Sequence, residues 1–379
     1  MPTFPSRPAN GKGPNGLPFY APDLKSLYRL ASRDFAAIFE TQQLVDGHYV
    51  QRLENLLAER YQRHVVATCS GTAGLIIALD SVLTKDKPEV LVTSLTFAAT
   101  VQAVLHAGGR PVFVDVDPQT WNMSPEDVER KITLRTGAIL PTHLFGVPCD
   151  HDALSEISRR FEVPLVYDSC EAFGTTLNER EIGCFGDAEV FSLDATKVVS
   201  GGLGGYVTTG DPALARKLRM AKSFGNDDRR ATVQRGINAR MLEFSAAMAI
   251  HSLRRASAVI REGRAVADCY LEACRNIPFL RFQAVPQGSL PARQLFAVAL
   301  DCEPATVVRL RKLLAARGIE VRAYFRRLLH QEEIFGGGPN VRLPVTEELG
   351  PRILCLPVHK QVRPAHIETL VRSLQQVAG

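Results

Sequence analysis

From residue 21 to about residue 210, short uninterrupted apolar runs alternate with stretches of helical period. Glu89–Thr93, Pro111–Val116, Gly137–Pro141, Val163–Tyr167, Glu189–Ser192 and Gly205–Thr209 predict strands. Each is a β-rich apolar run bounded by polar or turn residues. Leu75–Leu79, Thr100–His106, Ser124–Lys131 and Asp150–Phe161 predict the helices between them. Continuously apolar strands separated by helices argue for a mainly parallel sheet covered on both faces. Past residue 239 the pattern changes. One long helix is expected over Met241–Arg275, then a Pro- and Gly-containing connection, then an α+β segment. In that segment Gln294–Leu300 and Glu320–Arg322 predict strands, and Ala305–Arg317 and Pro364–Val377 predict helices. Residues 1–20, rich in Pro and Gly, predict an extended arm with no core of its own. The expected division is this arm, a large domain over 21–245, and a smaller α+β C-terminal domain over 246–379.

Composition narrows the function classes. The chain's 379 residues exceed what one simple core holds, in line with two domains. A formal charge of +5 is small for this size. Arg254-Arg255 and Arg326-Arg327 lie in amphipathic segments and read as solvated faces, which argues against a nucleic-acid partner. The slight positive balance suits an anionic substrate. Eight cysteines form no CxxC pair and no zinc-spaced cluster, so no metal is expected and a reducing compartment is. The N-terminus has no apolar signal region, and no apolar run approaches the roughly 20 residues of a membrane span. A cytoplasmic location is expected.

Three segments carry candidate chemistry. Asp168 follows the strand Val163–Tyr167, where an acid faces the crevice in which α/β sheets bind ligands. A helix N-cap is the alternative reading. Lys197 follows Glu189–Ser192 and precedes Gly201-Gly202-Leu203-Gly204-Gly205. It could be a solvated loop lysine, but small and apolar neighbours and the Ser192 hydroxyl suit a nucleophilic amine. The glycines let backbone approach a planar ligand. A lysine that forms an imine and an acid that pairs with a pyridinium nitrogen are what pyridoxal 5′-phosphate (PLP) requires of a protein. Upstream, Ser70, Gly71 and Thr72 open an apolar helix whose free N–H groups could hold a phosphate. An ordinary Ser70 N-cap is equally open. Phe97 offers an aromatic platform, or plain core.

Together these segments resemble the DegT/DnrJ/StrS family of PLP-dependent sugar aminotransferases. The resemblance runs from about Gly47 to the C-terminus. It rests on Ser70-Gly71-Thr72, Thr96-Phe97-x-Ala99-Thr100, His143-Leu144-Phe145-Gly146, Asp168-x-x-x-Ala172-x-Gly174, Ser192-x-x-x-x-Lys197 and Gly236-x-Asn238-x-Arg240, in order. It implies fold type I, with a mainly parallel sheet of the seven-stranded type in the large domain. It also implies that Lys197 binds the cofactor as a Schiff base and moves the substrate proton, while Asp168 holds the pyridinium proton. By the same resemblance Phe97 stacks on the ring, and Gly71, Thr72 and the Ser192 hydroxyl bind the phosphate beside Ser70. Asn238 reaches the phosphate of a neighbouring subunit, which makes a homodimer with shared sites; an N-cap before Met241 is its other reading. Glu171 stands where the family often has Gln or His and is taken as a residue near the cofactor. Leu203 replaces a frequent acid, and Lys197 disfavours the dehydrating branch that has His there.

The implied reaction moves an amino group from a donor, with L-glutamate expected, to a keto sugar, most readily a nucleotide-linked keto-deoxysugar. One rival is a PLP-dependent lyase or synthase acting on an amino acid, with Arg240, Arg322 or Arg326 clamping its carboxylate. The other is a non-catalytic cofactor- or sugar-binding regulator. The sugar, the carbon aminated and the nucleotide stay open, their determinants expected in 225–235, 324–330 and the arm.

Overall fold

The computed structural model describes residues 16–378, apart from Arg326 and Pro339. Helices α1 (Leu24–Thr41) and α2 (His48–Tyr61) precede the sheet. Asp23 caps α1 by accepting the Ser26 N–H. The N-cap of α2 is Gly47, which has no side chain to offer. The buried Glu243 carboxylate caps it instead, accepting the N–H groups of Gly47, Tyr49 and Val50.

An alternation of strands and helices follows. It comprises β1 (His64–Thr68), α3 (Gly71–Val82), β2 (Glu89–Thr93), α4 (Ala98–His106) and β3 (Arg110–Val114). Next come α5 (Pro125–Lys131), β4 (Thr136–Leu140), α6 (His151–Phe161) and β5 (Val166–Asp168). A short hairpin, β6 (Thr176–Leu177) and β7 (Arg180–Glu181), leads to β8 (Ala188–Ser192), β9 (Gly205–Thr209) and α7 (Pro212–Ala221). The order β1-β9-β8-β5 is joined to β4-β2-β3 by parallel bridges Ile139–Leu165 and Thr142–Asp168. The result is a seven-stranded sheet in which β9 alone runs against its neighbours. Alternate residues of each strand enter different cores. Val65, Leu91, Ile139 and Tyr167 pack in one cluster, and Val66, Val90, Ala138 and Val166 in the other, as a sheet covered on both faces requires.

Some expectations need correction. Val163–Tyr167 is a strand only from Val166, since Pro164 has no N–H to give to a ladder. The helix expected over Met241–Arg275 is two: α8 (Glu243–Leu253) and α9 (Ala256–Cys274). At the break the Ser252 hydroxyl accepts the Ser200 N–H and Arg255 reaches Asp23, contacts that a straight helix would forgo.

The remainder carries β10 (Leu280–Phe282), β11 (Ser289–Leu290), β12 (Phe296–Leu300) and α10 (Pro304–Ala316). It ends with α11 (Pro344–Leu349), β13 (Ile353–Leu356) and α12 (Pro364–Ala378). Strands β10-β12-β13 form an antiparallel sheet whose core includes residues of α9, α10 and α12. Glu320–Arg322 is not a regular strand: Ile319 bridges Leu17 and Arg322 bridges Cys355. Of the expected arm, residues 1–15 lie outside the described residues. Leu17 and Phe19 are buried, in separate clusters.

Candidate active site

Strands β1, β2, β4, β5 and β8 share one direction, so the segments that follow them gather along one sheet edge. That edge is where open α/β sheets bind ligands. It collects Ser70–Thr72 after β1, Phe97 after β2, Asp168 and Glu171 at and after β5, and Ser192 and Lys197 at and after β8.

Asp168 is nearly fully buried, at 5% exposure. One carboxylate oxygen accepts the Thr100 hydroxyl at 2.7 Å and the other the Cys170 N–H at 3.1 Å. With its proton committed to Asp168, Thr100 accepts from Thr96 at 2.9 Å, and Thr96 from Thr142 at 3.0 Å. This chain of hydroxyls fixes the carboxylate as an acceptor, the state needed to hold a protonated ring nitrogen.

Lys197 Nζ lies 3.8 Å from Glu171 Oε1, and the other Glu171 oxygen accepts the Phe145 N–H at 3.1 Å. Burial pushes the Glu171 carboxyl above its ordinary value, and Lys197 offsets part of that. Lys197 therefore faces a carboxyl whose charged form burial disfavours and the lysine's own charge favours.

The start of α3 fits a phosphate. Ser70 accepts the Ala73 N–H, while the N–H groups of Gly71 and Thr72 donate to no protein acceptor among the described residues. Ser70 is thus the N-cap, and the same turn leaves donors for an anion. A Cβ on Gly71 would stand 3.2 Å from Ser192 Cβ, which places the Ser192 hydroxyl beside this turn. A Cβ on Gly205 would sit 2.5 Å from Gly71 N, so glycine is required there for the strands to close under the turn. Phe97 is 65% exposed at the N-cap position of α4, an open aromatic face and not core. These residues fit PLP.

Asn238 stands apart. It is exposed, accepts from Arg240 Nε at 3.0 Å, and makes no hydrogen bond with the other site residues among the described residues. Its N-cap reading fails, since α8 begins at Glu243 with Leu242 as N-cap.

Behind Asp168 is a second buried acid. Glu189 accepts the Phe185 N–H and, at 2.9 Å, the Ser169 hydroxyl. His143 Nδ1 accepts the Cys149 N–H, so its proton is on Nε2, which has no hydrogen-bond partner among the described residues and lies 3.9 Å from Glu189. Burial lowers His143 to about 3 and pushes Glu189 up to about 7. A carboxyl raised this way binds more protons folded than unfolded between its ordinary value and pH 7. The contribution of Glu189 to stability therefore falls as pH rises through that window, by up to about 1.4 kcal/mol per pH unit. His143, neutral when folded and protonated when unfolded, contributes in the opposite sense from about 3 up to its ordinary value. Glu189→Gln removes the falling contribution, so its change in stability from pH 5 to pH 7 is expected to be more favourable than that of wild type. Urea titrations at those two values check this, and an unchanged difference contradicts it.

A cavity of about 190 Å³ adjoins Lys197. Its walls come from the segment Tyr20–Leu27, from α9, and from the turns at Ala292–Gln294 and Val358–Lys360. Motif reading missed Tyr20, Arg293 and Gln294. The Tyr20 hydroxyl pairs with Tyr324 at 3.3 Å and is pushed far up by burial. No local pattern marks these residues; only the docking of distant segments brings them to Lys197.

A buried acid under the sheet edge, a lysine beside it paired with Glu171, and a helix start with free N–H groups are the features a PLP site requires. The chain belongs to the DegT/DnrJ/EryC1/StrS aminotransferase family, whose model matches residues 29–375. It is a PLP-dependent aminotransferase. Among solved structures, DesI, crystallised in the presence of its TDP-sugar product, is 33% identical with a TM-score of 0.86. That match covers 96% of this chain and 93% of DesI. DesV of S. venezuelae, in complex with a ketimine intermediate, is 28% identical at TM-score 0.88, over 95% of this chain and 98% of DesV. Bacillus subtilis NtdA, with bound cofactor PMP, is 22% identical at TM-score 0.88, over 97% of this chain and 86% of that one, a likeness of fold. Among the described residues, no helix is long and apolar enough to cross a membrane.

Proposed function

We propose that this chain transfers the amino group of L-glutamate to the ketone of a nucleotide-linked keto-deoxysugar, in the cytoplasm. The single observation that carries the reading is the meeting of Lys197 and Glu171 beside Asp168 at the edge of the sheet. The sugar half of the reading is supported by family membership and by DesI, crystallised with its TDP-sugar product.

When bound, PLP supplies a carbonyl that condenses with amines and a ring that draws electrons from the adjacent carbon. Lys197 carries the proton between the substrate carbon and the cofactor in both halves of the reaction. Asp168 would keep the ring nitrogen protonated. Gly71, Thr72 and Ser192 would hold the phosphate at the start of α3, and Phe97 would stack on the ring. Glu171 takes up or returns the proton of Lys197. The Arg clamp of the amino-acid lyase rival gains no support: Arg240 is engaged with Asn238 and Arg322 with Glu320, while Arg326 lies outside the described residues.

We further infer a homodimer, with Asn238 completing a neighbour's phosphate site. Exposed Tyr28, Phe39, Phe224 and Leu242 supply apolar surface for such an interface. The division into a large domain at 21–245 and a small one at 246–379 belongs to the same reading; α9 has residues in cores of both parts.

Initial velocities measured against L-glutamate at several fixed concentrations of a TDP-linked keto sugar test the scheme. Parallel reciprocal lines are expected, since the amino group rests on the enzyme between two half-reactions. Intersecting lines would refute the two-stage transfer.

A further inference from the structure

The turn at Ala292–Gln294 lines the cavity beside Lys197 and carries donors that no acceptor among the described residues uses. Arg293 is a non-glycine residue held at φ 59°, a sparsely populated conformation that surrounding structure must enforce. That structure is visible. Arg264 donates to the carbonyls of Leu290 and Pro291, and the Ala292 N–H donates to the Thr175 hydroxyl. Gly263 on α9 lets the turn approach, since a Cβ there would stand 2.8 Å from the Arg293 carbonyl oxygen.

The guanidinium held this way makes no hydrogen bond or ion pair among the described residues. Its contact is with the Phe296 ring, at 5.6 Å. Burial acts against its charge; the Asp268 carboxylate offsets part of that and Arg264 adds to it. The adjacent Gln294 has a buried side-chain Nε2 without a partner, while its Oε1 accepts the N–H of Val198, the residue after Lys197. Two adjacent sets of unclaimed donors on one braced turn, tied by a hydrogen bond to the lysine loop, are the arrangement an oxyanion satisfies. By contrast, Arg255 and Lys360, which line the same cavity, already share Asp23.

We propose that Arg293 and Gln294 form the subsite for the anionic group of a substrate whose reacting end lies at Lys197. Two sources share this chemistry: the carboxylate of the amino donor and the phosphate of the nucleotide-linked acceptor. The subsite rests on the transfer reading above for its place in the reaction, but not for its binding.

Calorimetric titration of wild-type and Arg293→Gln holoenzymes with two non-reacting probes, glutarate and thymidine diphosphate, tests it. At least one probe should bind the variant tenfold more weakly or worse, with the visible absorbance of bound PLP unchanged. Arg293→Lys, which keeps the charge but loses the fork, should recover part of that loss. A loss confined to glutarate assigns the donor carboxylate, and one confined to thymidine diphosphate assigns the acceptor phosphate. Should Arg293→Gln fail to hold PLP, Arg293→Lys decides, with a threefold loss expected. Binding of both probes within twofold of wild type, or no binding of either to wild type, overturns the subsite. Because binding is read without turnover, a wild type that binds a probe but ignores glutamate would sink only the transfer reading.

Discussion

Lys197→Ala is expected to fold, yet to show none of the visible absorbance of wild-type protein incubated with PLP, and to lose transamination by about 10⁴-fold or more. That is the upper range for removing a positioned acid/base, and here the same side chain also anchors the cofactor. Folding should survive. The lysine is mostly buried, but its ionic partner is the single carboxyl of Glu171 at 3.8 Å. Burial already pushes that carboxyl up, so it can take a proton when its cation is removed and leave no unpaired buried charge. Circular dichroism and thermal melting should match wild type while the absorbance is absent. A variant that retained the wild-type band and a tenth of the activity would contradict the role given to Lys197.

Asp168→Asn should be the second largest effect, with kcat falling by about 10²–10³-fold, the scale of losing one preorganised electrostatic partner. The amide has the shape of the acid but not its charge. It can still accept from Thr100 through its oxygen, but its NH₂ then faces the Cys170 N–H, donor against donor. The phosphate turn at Gly71 and Thr72 does not touch this residue, so PLP affinity should fall far less than kcat. Equilibrium dialysis of PLP beside steady-state kinetics separates the two. A variant that lost cofactor affinity and kept kcat in its loaded fraction would mean that Asp168 serves binding alone.

Much of this site was legible in the chain because its parts are local. A strand end, a helix start and a glycine run each leave a short signal, and Asp168, Lys197 and Ser70–Thr72 stand where those signals put them. The strand order was not legible: the antiparallel place of β9 between β1 and β8 depends on pairing between residues far apart in sequence. The break of the long helix at Arg254–Arg255 answers to Ser200 and Asp23, which helical periodicity cannot see. Glu243, at the start of α8, is buried as the cap of a different helix, a role its local sequence does not signal. Arg293 was missed for a like reason. Its meaning lies in a guanidinium with no hydrogen-bond or ion-pair partner among the described residues, and in the bracing of its turn by Arg264 and Thr175, both distant in sequence.

The most direct measurement is the visible spectrum of the PLP-loaded protein, titrated first with L-glutamate and then with a TDP-linked keto sugar. The absorbance should bleach with glutamate in proportion to active sites and return when the keto sugar is added, as an amino group passes through the enzyme. A protein that stays colourless after incubation with PLP, or a coloured one that neither glutamate nor another amino donor bleaches, would contradict the account.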